Sequence, residues 1–238
     1  MKAMILAAGL GTRLKPFTDK HPKALALVNN KSLLQRNIAY LQQHNIYDVI
    51  VNVHHFAAEI IETIEANRAW GSNITISDET DAVLETGGGL QKAAWYLQDE
   101  DVFVLMNVDV LTNLPLHAMI QHHKTHQPLA TLATTSRETS RYFLFDDQNN
   151  LCGWRNTKTS EEKIVRPSEA LLQKAFSGVH VISNNIFSNI HRNGKFSMVD
   201  VYLDVAKTHN IQSFDHSAYR FIDVGKPESI AEAEQIFL

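Results

Sequence analysis

The sequence predicts an α/β fold organised around a doubly wound, mainly parallel sheet. Strand-like and helix-like segments alternate along residues 1–127, the order expected of successive β-α-β units. The runs Asp48–Val53 and Val102–Met106 are short and apolar or β-branched, as strands covered on both faces are. The 44% hydrophobic and 20% charged residues are ordinary for a soluble globular protein.

The first part of the chain contains the clearest periodicity. A first strand is predicted at Lys2–Ala7, and Ser32 is placed to cap a helix that runs to His44. The following predicted elements are, in order, a strand at Asp48–Val53, a helix at Ala57–Trp70, a strand at Ile74–Ser77, a helix at Gly88–Leu97, a strand at Val102–Met106 and a helix at Leu116–Gln127. In such a sheet, ligands bind at the carboxyl ends of the strands.

After about Pro128 the pattern becomes richer in strands. The predicted elements are a strand at Leu129–Thr135, a hairpin of Tyr142–Asp146 and Leu151–Trp154, a strand at Phe176–Ile182, a helix at Val199–His209, strands around Phe214 and at Tyr219–Val224, and a closing helix at Pro227–Phe237. The polar segment Asn156–Glu169 is predicted to be a mobile loop. Because no linker or repeat interrupts the chain, we expect one domain over residues 1–238.

Composition excludes several classes of function. The net charge of −4 argues against a general nucleic-acid binder. No apolar run approaches the roughly 20 residues of a membrane span, and Met1–Ala8 is too short for the core of a signal peptide. Cys152 is the single cysteine, so no internal disulfide can form. We therefore expect a cytoplasmic protein that binds neither nucleic acid nor membrane.

The strongest functional signal follows the first strand. Ala8-Gly9-Leu10-Gly11 forms a glycine loop, and a cluster of cations with a single acid, Asp19, comes next: Arg13, Lys15, Lys20 and Lys23. Glycines let backbone N–H groups approach phosphate oxygens, and basic side chains neutralise their charge. The segment therefore predicts a phosphate site, with a solvated basic loop as the alternative.

Two common phosphate loops do not match this segment. The dinucleotide fingerprint requires a third glycine at the position that Leu14 occupies. The P-loop requires a Gly-Lys-Ser/Thr tripeptide, which the chain lacks.

Two acids stand at the ends of predicted strands. Asp109 follows the most hydrophobic strand, and Asp223 ends Tyr219–Val224. Isolated aspartates commonly cap turns. Beside a phosphate loop, however, a pair of carboxylates suits Mg²⁺, which takes one or two protein carboxylates and completes its shell with water and phosphate oxygens. We therefore predict that Asp109 and Asp223 bind Mg²⁺.

A third element is the segment Glu85-Thr86-Gly87-Gly88-Gly89. Three glycines at the start of a helix would expose backbone N–H groups to a ligand. The alternative is a flexible helix N-terminus, although consecutive glycines are costly unless a close approach is needed.

The motif G-x-G-T-R-L-x-P-x-T followed by P-K, with Asp109 and the Asp223-Val224-Gly225 segment, resembles the sugar-1-phosphate nucleotidylyltransferases. These enzymes join a sugar 1-phosphate to a nucleoside triphosphate and release pyrophosphate. The resemblance implies a Rossmann-like, GT-A-like nucleotidyltransferase fold with a small β-rich sugar-binding insertion. Residues 1–127 would form the nucleotide-binding part, and residues 128–238 the sugar-phosphate-binding part with the closing helix.

The resemblance also implies roles for single residues. Arg13 and Lys23 would bind the leaving phosphates, and Asp109 and Asp223 would hold Mg²⁺; these four form the predicted catalytic set. The residues predicted to contact the two substrates are Ala8, Gly9, Gly11, Thr12, Arg13, Lys23, Glu85, Thr86, Gly87, Gly88, Asn107 and Gly178. Val108 departs from the family pattern, which has glycine before the first acid.

The segment L-E-T-G-G-G is particularly similar to the N-acetylmuramate-1-phosphate uridylyltransferases of cell-wall recycling. It predicts UTP as the nucleotide and N-acetylmuramate 1-phosphate as the sugar, in peptidoglycan recycling. The alternatives are guanylyl, thymidylyl or cytidylyl transfer to mannose, heptose or glucose 1-phosphate or to phosphocholine, and a non-catalytic nucleotide-binding regulatory subunit. We expect a monomer or a small homo-oligomer. The histidines at 122, 123 and 126 are expected on an exposed helix surface, without a metal.

Overall fold

A computed structural model describes residues 1–237. The strands are β1 Lys2–Leu6, β2 Leu27–Val28, β3 Lys31–Ser32, β4 Asp48–Val53, β5 Asn73–Asp78, β6 Val102–Asn107, β7 Val110–Thr112, β8 Ala130–Thr135, β9 Arg141–Phe145, β10 Leu151–Asn156, β11 Glu161–Ile164, β12 Leu172–Ser183, β13 Ile211–Asp215 and β14 Phe221–Asp223. The helices are α1 Leu33–Gln43, α2 Ala57–Ala66, α3 Glu85–Lys92, α4 Ala94–Leu97, α5 Leu116–His126, α6 Ile186–Asn189, α7 Met198–Val205 and α8 Pro227–Ile236.

The central sheet is mixed, and the first part of the chain supplies its parallel half. β1 lies between β4 and β6 and is parallel to both, and β5 continues the parallel order beyond β4. β12 then joins β6 in the antiparallel direction, so strands from both parts of the chain share one sheet. The predicted α/β architecture with a mainly parallel sheet is confirmed.

Helices cover both faces of this sheet because alternate strand residues point in opposite directions. Ile5 packs on one face with the buried residues of α1, α2 and α5. Met4, the preceding residue, packs on the other face with those of α3, α4 and α7. The sheet is therefore doubly wound, and the edge where β1, β4 and β6 end stays open.

The part of the chain after Pro128 extends the sheet with antiparallel strands. β9 and β10 form the predicted hairpin. The prediction of a loop over Asn156–Glu169 is wrong in part, since Glu161–Ile164 forms β11 and pairs with β10. The side chains of β11 are all exposed, so this edge strand has the same polar sequence pattern as a loop.

Several element boundaries differ from the prediction. The helix expected to reach Trp70 ends at Ala66, because a left-handed turn at residues 68–70 follows it. The helix expected to begin at Gly88 begins at Glu85. Among residues 1–237, no helix has both the length and the apolar character needed to span a membrane.

The histidines of α5 only partly match the prediction. His123 is buried, and its Nδ1 lies 2.9 Å from the hydroxyl of Thr131, so its expected exposure is wrong. His126 is exposed as predicted.

Candidate functional site

A cavity of about 530 Å³ opens at the carboxyl ends of β1, β4 and β6. Ten of the predicted substrate and metal residues line it: Ala8, Gly9, Gly11, Thr12, Arg13, Lys23, Glu85, Thr86, Asn107 and Asp109. The topology therefore brings the glycine loop, the first acid and the start of α3 to one place.

The glycine loop is held in a compact shape by Thr18. The Thr18 hydroxyl donates to the backbone carbonyl of Gly11 at 2.9 Å. Gly11 has a φ of +62°, and an added Cβ there would lie 2.8 Å from the Thr18 methyl group. Residues Thr12–Leu14 then form a 3₁₀ turn anchored by the buried Leu14. Gly11 is therefore required by both its backbone conformation and its packing, and the turn places Arg13 at the mouth of the cavity.

The two predicted acids are neighbours although Asp223 lies outside the central sheet. β14 pairs with β7 in a separate antiparallel ribbon, in which Asp223 is opposite Val110. The backbone N–H of Val224 donates to the carbonyl oxygen of Asp109 at 2.8 Å. Burial, and secondarily the nearby charge of Asp109, raises the pKa of Asp223. The ribbon thus brings the two carboxylates together.

Each acid has a cation next to it. Lys23 is 9% exposed, and its ammonium group donates to Oδ2 of Asp109. Arg13 is more open, with its Nη2 atom 3.8 Å from Oδ2 of Asp223. The four predicted catalytic residues therefore form one alternating cluster of charge.

The acid pair fits the predicted metal ion. Oδ1 of Asp223 is buried and has no hydrogen-bond partner among the described residues. An orphaned carboxylate oxygen beside a second carboxylate matches the donor set that Mg²⁺ takes from proteins. Since residues 1–237 contain no group of three or more potential metal ligands, such an ion would complete its shell with water and phosphate oxygens.

The sequence predicted that the N–H groups of Gly87 and Gly88 are free to meet a ligand, and this prediction is wrong. Both N–H groups donate to the carbonyl oxygen of Phe196, at 2.9 and 3.1 Å. An added Cβ would collide with the Phe196 ring at Gly87 and with the carbonyl oxygen of Gly194 at Gly88. The glycines therefore serve the close packing of α3 against residues 194–196.

Glu85 and Thr86 lie at the cavity, unlike the two glycines. Oε1 of Glu85 is 3.6 Å from Nζ of Lys195, and both side chains are exposed. The Thr86 hydroxyl oxygen accepts a hydrogen bond from the backbone N–H of Met198 at 2.8 Å. The start of α3 is thus fastened to the start of α7.

Two buried polar residues of this cavity were not predicted. Asn52 accepts hydrogen bonds from the backbone N–H groups of Ala7 at 2.7 Å and Ala8 at 3.3 Å, and donates to Oε1 of Glu79 at 2.8 Å. Glu79 is 1% exposed, and its Oε2 atom has no partner among the described residues. Burial raises the pKa of Glu79. The available signal was Asn52 itself, an amide within the apolar run of β4.

Gly178 packs closely against the side chain of Asn107. Its φ is +73°, and an added Cβ would lie 2.8 Å from Nδ2 of Asn107. It does not line the cavity, so its place in the predicted substrate set becomes one of positioning Asn107. Val108, the departure from the family pattern, buries its side chain and donates its N–H to the carbonyl of Leu6.

A second cavity of about 800 Å³ adjoins the first, and Arg13, Thr86 and Asn107 line both. Its walls include Asp223, a set of aromatic side chains and several cations from the part of the chain after Pro128. These aromatic and basic residues are Tyr142, Phe143, Trp154, Phe176, Tyr202, Arg137, Arg141 and Lys158.

A family model described as "Nucleotidyl transferase" matches residues 2–238. A mannose-1-phosphate guanyltransferase of Yarrowia lipolytica is 27% identical over 241 residues, and one of Saccharomyces cerevisiae is 25% identical over 241 residues. Both alignments cover 100% of this chain but 64% and 65% of the relatives, so the chain spans less than two thirds of their length. These relatives give no support to the predicted preference for UTP and N-acetylmuramate 1-phosphate, or to a role in cell-wall recycling, and match the guanylyl alternative.

Solved structures share the fold. HddC from Yersinia pseudotuberculosis, complexed with GMP-PN, has a TM-score of 0.79 and 23% identity over 100% of this chain and 99% of that chain. A putative glucose-1-phosphate thymidylyltransferase from Bacillus anthracis, in complex with a sucrose, has a TM-score of 0.80 and 17% identity over 99% of this chain and 94% of that chain. At these identities the likeness concerns architecture alone.

Proposed function

Since the chain belongs to the nucleotidyl transferase family, we propose that it transfers a nucleotidyl group from a nucleoside triphosphate to a sugar 1-phosphate and releases pyrophosphate. The observation that carries the proposal is the cluster of Lys23, Asp109, Asp223 and Arg13 at the mouth of the glycine-loop cavity. Two adjacent, partly buried acids beside a phosphate loop suit a transferase, in which they would hold the cation that neutralises phosphate charge.

In this proposal the first cavity takes the triphosphate. Backbone N–H groups of Gly11 and Thr12 contact its oxygens, while Lys23 and Arg13 neutralise the charge that develops on the departing pyrophosphate. Removing one preorganised group aimed at developing charge typically costs roughly 3–4 kcal/mol of transition-state stabilisation. Residues 1–127 supply this machinery, and residues 128–238 supply the walls of the second cavity, where the sugar 1-phosphate binds.

Asp109 and Asp223 are the residues that would hold Mg²⁺. When bound, the ion would neutralise charge on the α-phosphate and on the incoming phosphate. The acids themselves do not move a proton, because the attacking phosphate oxygen is already an anion and needs no general base. Catalysis then consists mainly of positioning and charge neutralisation.

For the nucleotide, we propose GTP, with mannose 1-phosphate as the first sugar to test. The guanyltransferase relatives support this choice. The unpartnered carboxylate oxygen of Glu79 also supports it, because guanine presents two adjacent donors, N1–H and N2–H₂, on its pairing edge. Uracil presents a single donor on that edge, flanked by two carbonyl oxygens.

A pyrophosphate-release assay tests the proposal. The purified protein with Mg²⁺ would be given GTP, UTP, dTTP, CTP or ATP together with mannose, glucose, heptose, N-acetylglucosamine or N-acetylmuramate 1-phosphate, or with phosphocholine. We expect release that requires both substrates and is fastest with GTP. Fastest release with UTP would overturn the nucleotide assignment alone. Tight nucleotide binding without release from any pair would overturn the transferase and favour a regulatory subunit.

A further inference from the structure

Arg137 is a cation of the second cavity without an anionic partner. It lies in the connection between β8 and β9 and lines that cavity. Its side chain is half-buried and forms no ion pair within 4.0 Å among the described residues, and its Nε atom is buried without a hydrogen-bond partner. A guanidinium that is partly removed from water and unpaired needs a compensating anion.

Uncharged groups hold this guanidinium in place. Its Nη2 atom donates to the backbone carbonyl of Phe176 at 2.9 Å, and its central carbon lies 5.0 Å from the centroid of the Phe221 ring. His216 packs edge-on against that same ring and hydrogen-bonds Ser177. Burial lowers the pKa of His216 to about 4, so its ring is neutral at pH 7 and supplies no charge. The packing therefore fixes the direction of Arg137 without an acid in ion-pair contact, and Asp223 is the acid whose charge reaches it from farther away.

The two supports of Arg137 also belong to the elements that carry the proposed chemistry. Phe221 starts β14, the strand that ends at Asp223. Phe176 lies two residues before Gly178, which packs behind Asn107. Arg137 is therefore fixed to the same framework as Asp223 and as Asn107, one of the residues that line both cavities.

We propose that Arg137 binds the phosphate of the sugar 1-phosphate and orients it toward the acid pair. This inference rests on the proposed function and adds a specific residue to it. Its Nη2 atom is engaged with Phe176 and its Nε atom is buried, so the Nη1 atom is the donor left to meet a phosphate oxygen, in a charge-assisted contact of the kind that guanidinium groups make in phosphate recognition. The aromatic walls of the second cavity then surround the sugar ring.

The experiment compares the Arg137→Gln and Arg137→Lys variants with the wild type. For Arg137→Gln we expect the KM for the sugar 1-phosphate to rise about 10- to 100-fold, the range of one charge-assisted contact. The KM for the nucleoside triphosphate and the Tm should stay near those of the wild type. Arg137→Lys keeps the positive charge but lacks the planar guanidinium group. Its KM for the sugar 1-phosphate should lie between those of the wild type and Arg137→Gln. Arg155→Gln is the matched control, because Arg155 is partly exposed, pairs with Glu162 and lies outside both cavities.

An unchanged KM for the sugar 1-phosphate in Arg137→Gln would overturn the inference. A lowered Tm, together with equal increases in KM for the sugar 1-phosphate and for the nucleoside triphosphate, would show that Arg137 has a structural role. This result would also overturn the inference. If Arg137→Gln does not fold, Arg137→Lys decides by the same criteria.

Calorimetric binding of mannose 1-phosphate and glucose 1-phosphate separates this inference from the proposed function. If the wild type binds either one, Arg137→Gln binds it at least tenfold more weakly, and no pyrophosphate is released, then the inference stands and the transferase fails. Pyrophosphate release by the wild type, with unweakened binding in Arg137→Gln, would overturn the inference and leave the transferase standing. Absence of binding to the wild type would overturn the inference.

Discussion

The backbone N–H of Val224 donates to the carbonyl oxygen of Asp109 at 2.8 Å, joining the connection after the central strand β6 to the outer ribbon of β7 and β14. This bond, with the pairing of Asp223 opposite Val110, holds the two acids close to each other. Burial, and secondarily the nearby charge of Asp109, raises the pKa of Asp223. Groups arranged in advance of the reaction need no reorganisation when the transition state forms.

Replacing Lys23 should abolish most turnover. Lys23→Met leaves Asp109 without its cation and removes positive charge from the phosphate cavity. We expect kcat/KM to fall about 10²- to 10³-fold, the loss seen when one preorganised charge-stabilising group is removed. Steady-state kinetics would measure it. The control is Lys20→Met, an exposed lysine of the same loop, which should remain within about threefold of the wild type. Comparable losses in both variants would argue for general electrostatics of the loop.

Replacing Glu79 should alter nucleotide choice more than folding. Glu79→Gln keeps the shape and an acceptor for Asn52 but removes the buried charge. We expect kcat/KM for GTP to fall about 10- to 100-fold, since the carboxylate would no longer pair with the guanine donors. Values for UTP should change less. Chemical denaturation should show equal or greater stability, because an ionised group leaves the interior. Unchanged GTP kinetics would mean that Glu79 does not meet the base.

The glycines at the start of α3 should matter for packing. Gly88→Ala places a methyl group against the carbonyl oxygen of Gly194, a backbone atom that cannot easily move. We expect a loss of about 1–3 kcal/mol in the free energy of unfolding, typical of overpacking. Gly9→Ala is the matched control, since an added Cβ there has no neighbour within 4 Å. Thermal or urea unfolding compares the two, and equal stability of both variants would contradict the packing role.

Three buried histidines should make stability depend on pH. Burial lowers the pKa of His123 and of His216 to about 4 and that of His180 to about 3, while the unfolded chain protonates all three near pH 6.5. Between about pH 6.5 and pH 4 the unfolded state thus binds more protons. Stability is therefore present above pH 6.5 and is lost as the pH falls, by up to about 1.4 kcal/mol per pH unit for each histidine.

The matched test is His123→Gln, which keeps a group able to hydrogen-bond Thr131 but cannot be protonated. Urea unfolding at pH 7 and pH 5 should show a smaller loss of stability in this variant than in the wild type. Equal losses in the two proteins would show that His123 is not responsible for acid sensitivity.

The sequence predicted the parts of this site that depend on local pattern. The strand before the glycine loop, the cations after it and the acids at strand ends all leave local signatures, and the structure brings them together. It could not predict that Gly87 and Gly88 bond to Phe196, because that contact joins segments over a hundred residues apart. The sequence did not predict Glu79 and Arg137 as site residues for a related reason. Nothing in the local sequence distinguishes a charged loop residue that becomes buried on folding from one that stays exposed.

The most direct test of the central claim follows the α-phosphorus. The protein, Mg²⁺, mannose 1-phosphate and GTP labelled with ³²P at the α-position would be incubated, and the labelled products separated. The account predicts that the label moves into a nucleoside diphosphate sugar, with one pyrophosphate released for each transfer. It also predicts that Asp109→Asn and Asp223→Asn lose this transfer while Asp19→Asn, an exposed acid of the glycine-loop segment, retains it. Transfer at wild-type rates by Asp109→Asn and Asp223→Asn, or label found only in free GMP or GDP across all sugar phosphates and nucleotides, would contradict the account.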